Sequence, residues 1–120
     1  MKSLLGYLTD LNDEIARIER FTSDGRDAFF ADEQTQYAVE RCYEIIGEVL
    51  KRIPPEILNE YPDVEWKDII RFRDYLSHQY DKVLISLVWR AVEKLPSLKN
   101  AVERMMQDLD TSDSNADPAN

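Results

Sequence analysis

The chain has 120 residues, 43% of them apolar and 32% charged, with a formal net charge of −9. That length supports one domain with a real core, and three Gly and five Pro leave little room for a turn-rich β architecture. One cysteine, Cys42, excludes an intrachain disulfide and a multi-cysteine metal site, and the acidic balance argues against gripping nucleic acid by bulk electrostatics.

Leu4, Leu8, Leu11, Ile15 and Ile18 alternate spacings of four and three, which predicts one continuous helical stripe. The run SDGRD breaks it. Ala38, Cys42, Ile45, Val49 and Ile53 repeat the spacing between about 32 and 53, and Pro54-Pro55 stops that helix. Cys42 falls among apolar positions and reads as a small buried hydrophobe. EILNEYP predicts a short helical turn. A third long helix starts near Val64 and carries Trp66, Ile69 and Ile70 into RFRDYLSHQYDKV, which holds the only histidine. Leu84, Leu87, Val88, Ala91, Val92 and Leu95 form a fourth stripe. Pro96 restarts the chain as a first-turn residue, and Leu98, Val102, Met105 and Leu109 form a fifth. The expectation is an all-α, up-and-down bundle of about five helices in one domain, 1–109, followed by an acidic tail, 110–120, expected to be disordered. The 3.5-residue average period favours near-parallel packing, and the several apolar stripes leave surface for a homodimer contact. No apolar run approaches the roughly 20 residues of a membrane span. The N-terminal stretch does not read as a signal peptide, which makes the cytoplasm the default address.

Charge is unevenly placed. Asp108, Asp110, Asp113 and Asp117 lie in a stretch without Lys or Arg, while residues 67–90 hold five basic groups against three acids. The histidine therefore sits in a modestly positive zone. On a helix, Arg73, Ser77 and Tyr80 share one face, and Asp74 and His78, four apart, can touch. A carboxylate on one ring nitrogen fixes the imidazole tautomer and leaves the other nitrogen free. Arg73 offers a planar fork suited to a phosphate. These are parts for phosphodiester chemistry, a base for a hydroxyl and a cation for charge on phosphorus oxygens. The same spacing equally describes a satisfied surface histidine, two solvent charges and a core-edge tyrosine. One histidine with scattered acids lacks a metal ligand set, and no Gly-rich phosphate loop or Ser–His–Asp arrangement is present.

The motif RDYLSHQY has the form Arg-x4-His-x-Tyr and resembles the signature of HEPN-domain proteins, specifically the HepT-type ribonuclease toxins. IIGEVLKRIPPEI resembles that family's second long helix with its proline stop. Trp66-Lys67-Asp68-Ile69 resembles the approach to its motif helix, and LVWRAVEKLPSL the segment that follows. The likeness spans roughly residues 5–100. Arg71 stands where members often have Gly, and Asp74 where they often have Asn.

The resemblance implies a metal-independent endoribonuclease without a cofactor, in which Arg73 and His78 promote attack of a ribose 2′-hydroxyl on the adjacent phosphate. It also implies a minimal nucleotidyltransferase antitoxin as partner, which adenylylates Tyr80. Asp74 is expected to orient His78. In-line transfer needs a base and an acid, so one His per chain points to a two-fold dimer that juxtaposes two copies of residues 73–80. A rival expectation is a non-catalytic module that binds nucleotide or neutralises the nucleotidyltransferase. A purely structural interaction domain is a more distant one.

Overall fold

The computed structural model describes residues 2–79 and 82–116, with side chains as far as 111. Among these are seven helices and no strand: α1 (Leu4–Phe21), α2 (Arg26–Ala31), α3 (Glu33–Leu50), α4 (Pro55–Leu58), α5 (Trp66–His78), α6 (Ile85–Glu93) and α7 (Leu95–Ala116). None of the described helices is long and apolar enough to cross a membrane.

Local chemistry accounts for the boundaries. Ser3 caps α1 by accepting the Gly6 N–H at 3.1 Å, and Asp32 caps α3 by accepting the Gln34 N–H at 3.1 Å, each satisfying a donor that the first turn leaves free. The Thr35 hydroxyl also donates to Asp32 and holds that carboxyl below its ordinary range. Pro55 opens α4 at a position where its missing N–H costs nothing. Before α5, the Trp66 indole N–H donates to the Tyr61 carbonyl at 2.9 Å. The Tyr61 hydroxyl donates to Asp108 at 2.5 Å, and Arg104 pairs with Asp63 at 2.6 Å. The segment leading into α5 is thus fastened to α7.

Leu8, Leu11, Ile15 and Ile18 are buried, as the α1 stripe predicts. In α3 the burial is wider than one stripe. Val39, Cys42, Tyr43, Ile46, Val49 and Leu50 are buried, whereas Ala38 and Ile45 are only half-covered. The reason is position: α3 is central, packing on α1 and α5 and also on α2 and α6. A helix covered on several sides does not show a single apolar face.

Two short helices exceed the five expected. α4 is the predicted turn, but α2 falls where the sequence reads only a break. Six residues are too few to show a period, and α2 is held by packing: Phe29 is buried with its ring 5.3 Å from Trp89 and 5.6 Å from Phe30. The preceding Gly25 takes φ 93°, a left-handed conformation that glycine reaches without a side-chain penalty. α7 runs on to Ala116, so the segment set apart as a tail from residue 110 begins inside this helix.

Candidate active site on helix α5

Helix α5 lies antiparallel on α3, and one line of pairings runs along the seam. Ser77 meets Glu44 at 3.5 Å, Arg73 meets Glu48 at 2.9 Å, and Asp74 meets Lys51 at 2.9 Å. On α3 those partners follow at steps of four and three, so they share a helix face. The common side expected for Arg73 and Ser77 is therefore the side turned toward α3.

Close approach at this seam depends on Gly47. A Cβ built there would stand 2.2 Å from Arg73 Cβ and 2.6 Å from its Cγ. The stem of Arg73 rests on bare α3 backbone in space that no other residue leaves open. Beyond the stem, Nη2 donates to Glu48 Oε2 and Nη1 lies 3.3 Å from Asp74 Oδ1. Nε is buried without a hydrogen-bond partner among the described residues. With its side chain 28% exposed, the guanidinium is held from two sides while part of it faces solvent.

The second oxygen of Glu48 lies 3.6 Å from Arg52, so one carboxylate links two arginines. Lys51 and, to a lesser extent, Arg73 hold the Asp74 carboxyl below its ordinary range. One helical turn before Glu44, burial pushes the Glu40 carboxyl up, and Glu44 adds to the shift.

Asp74 is the main correction to the sequence reading. Its carboxylate goes to Lys51 and Arg73, and no hydrogen bond to the His78 side chain forms among the described residues. A lysine from the neighbouring helix competes for the same oxygen, which spacing within α5 could not reveal. His78 is the last residue of α5 and is exposed, leaving its imidazole free to meet a ligand. Arg71 is exposed and paired with Asp68 at 3.0 Å. Tyr80 lies outside the described residues.

The chain after the motif is anchored by a residue the sequence reading passed over. The Tyr75 hydroxyl accepts the Leu84 N–H at 2.8 Å and donates to the Lys82 carbonyl at 3.5 Å, while Lys82 N–H donates to the Gln79 carbonyl at 3.1 Å. Gly47, Glu48 and Lys51 were likewise missed. The signal available for them was one glycine inside an otherwise strong helix pattern, flanked by charges at helical spacing.

The arrangement offers a fixed guanidinium and an accessible imidazole on one helix. The family described as Ribonuclease HepT-like matches residues 11–105. Over 101 residues the chain is 40% identical to a protein of Thermococcus cleftensis named as a probable ribonuclease HepT, covering 82% of this chain and 92% of that one. It is 35% identical over 117 residues to a protein of Methanocaldococcus jannaschii named as a candidate RNase, covering 96% and 97%. A further candidate RNase, from Caldanaerobacter subterraneus, is 33% identical over 109 residues, covering 89% and 97%. No solved structure matches the chain at a significant level.

Proposed function

The chain belongs to the Ribonuclease HepT-like family, and from that premise we propose that it is a metal-independent endoribonuclease acting as the toxin of a toxin–antitoxin pair. Arg73 neutralises charge growing on the phosphate oxygens, and His78 moves the proton of the attacking 2′-hydroxyl or the leaving 5′-oxygen. Asp74 acts on the arginine, not on the histidine: with Glu48 it sets the direction of the guanidinium fork. Fixing a charged donor before substrate arrives avoids its reorganisation during the reaction.

One imidazole cannot conveniently be acid and base at once, so the active unit is a two-fold dimer that brings two copies of the α5 terminus together. Doubling the arginines also gives an acidic protein a local positive cleft for RNA. In the same proposal a minimal nucleotidyltransferase adenylylates Tyr80, and the added bulk and negative charge shut RNA out. The observation that supports this reading best is the seating of Arg73: a conserved-geometry-free argument, resting on Gly47 beneath its stem and two carboxylates at its head.

The test is cleavage of RNA in EDTA by the purified chain, wild type beside Arg73→Ala and His78→Ala. Cleavage by wild type alone, with all three proteins folded, supports the proposal. Equal inertness of wild type and His78→Ala overturns it in favour of a binding module. Intact mass after co-expression with the nucleotidyltransferase tests the switch, since an added mass in AMP units must disappear in Tyr80→Phe.

A further inference from the structure

The face of α5 turned away from Arg73 borders a cavity of about 580 Å³, enclosed between α5 and the corner of α6 and α7. The nuclease chemistry makes no use of it. Tyr43 from α3 lines it; the residue is 3% exposed, yet its hydroxyl has no hydrogen-bond partner among the described residues. A buried hydroxyl without a partner is costly, and native proteins leave few of them. Burial also pushes the Tyr43 phenol up, so it stays neutral and keeps both a donor and an acceptor.

The walls are aromatic on one side and aliphatic on the other. Phe72 and Tyr75 lie nearly parallel, 15° apart with centroids at 6.2 Å, and Phe72 meets the Tyr43 ring edge-on at 5.5 Å. Leu87 and Ala91 face them. At the rim stand Arg90 and Lys94, one turn apart on α6. Neither joins an ion pair among the described residues. Two of the rim acids are already engaged, Asp63 by Arg104 and Asp68 by Arg71. Glu65 is the remaining rim acid, so the mouth favours an anion.

A flat ring fits between such walls, a hydrogen-bonding ring edge answers the hydroxyl, and an attached anion answers the two cations. An aliphatic chain would leave the phenol unpaired, and a sugar would leave the aromatic wall bare. We infer that the cavity is a base subsite, in which one unpaired RNA base stacks along Phe72 and Tyr75, hydrogen-bonds Tyr43 Oη and sets its phosphate at Arg90 and Lys94. Stacking on aromatic side chains is a general way of holding single-stranded RNA. Placement supports a link to the chemistry: Tyr75 precedes His78 by about one turn on α5, so a strand leaving the cavity meets the histidine next. This inference deepens the ribonuclease proposal and rests on it for the identity of the ligand.

The experiment titrates full-length His78→Ala protein with AMP, GMP, CMP and UMP, following side-chain and amide NMR signals. At least one nucleotide should shift signals of Tyr43, Phe72 and Leu87. Its affinity should fall about three- to tenfold in His78→Ala/Tyr43→Phe, which removes only the hydroxyl, and about tenfold with Arg90→Ala and Lys94→Ala added. Shifts that avoid the cavity, or equal affinity with and without the Tyr43 hydroxyl, overturn the inference. Cavity signals that move with protein concentration and not with nucleotide assign the space to a second copy of the chain, and also overturn it. Saturable binding here by a protein whose wild type cuts no RNA would keep the subsite and remove the nuclease.

Discussion

Replacing Gly47 with alanine tests the seam that positions Arg73. The new Cβ would lie 2.2 Å from Arg73 Cβ, with the Arg73 Cα only 3.7 Å away. These are atoms at the root of the side chain, so no rotamer change relieves the overlap. Ordinary carbon contact at about 3.5 Å requires α3 and α5 to part locally by more than roughly 1 Å. Overpacking of this kind costs about 1–3 kcal/mol, and rigid neighbours place it in the upper half of that range. Alanine in a helix interior returns about 1 kcal/mol over glycine. The balance is a net loss of about 1–2 kcal/mol, or a melting temperature lower by about 4–8 °C for a domain of this size. Misplacing the guanidinium by about 1 Å should also lower cleavage by about 100-fold. The control is Gly6→Ala, where the new Cβ meets chiefly the flexible Lys2 side chain at 2.6 Å. That variant should melt at or above the wild-type temperature. Differential scanning calorimetry of the three proteins decides the matter: a Gly47→Ala protein as stable as wild type refutes the close-approach argument.

Other perturbations probe neighbouring features. Glu48→Ala should lower the RNA cleavage rate about tenfold by freeing the Arg73 fork, while Glu48→Gln, which keeps an acceptor, loses less; equal rates in all three proteins would remove Glu48 from the positioning argument. Tyr75→Phe removes the acceptor for the Leu84 N–H, so amide exchange at Leu84 should accelerate about tenfold or more with little change in α1, and unchanged exchange would deny the tether. Burial, with Glu14 adding to it, pushes the Cys42 thiol up to about 12 from a model value of 9.0. The unfolded chain therefore gives up this proton first as pH rises. Wild-type stability relative to Cys42→Ala should hold steady below about pH 8 and decline from about pH 9 toward 12, measured by urea unfolding across that range. A constant difference would show that the thiol titrates alike in both states.

How much the sequence disclosed followed how local each feature is. The α1 stripe named the buried residues because α1 presents one apolar face, whereas α3, wrapped by several helices, hid its burial pattern. The Arg73–Ser77 side of α5 followed from spacing within one helix. The partners on that side, Glu44, Glu48 and Lys51, come from a segment more than twenty residues earlier, and no period in α5 encodes them. Asp74 shows the same limit most plainly, since its four-residue spacing to His78 permitted a contact that Lys51 from α3 pre-empts. The base cavity was less visible still: its floor, walls and rim come from α3, α5 and α6, each with an unremarkable local pattern.

The tethers from Tyr61 to Asp108 and from Asp63 to Arg104 carry a consequence for biosynthesis. A chain emerging from the ribosome completes its motif helix long before it has made residues 104 and 108. Until then the start of that helix lacks both anchors to the last one. A protein that cuts RNA is thereby least well assembled while it is still attached to the RNA-rich machine that builds it.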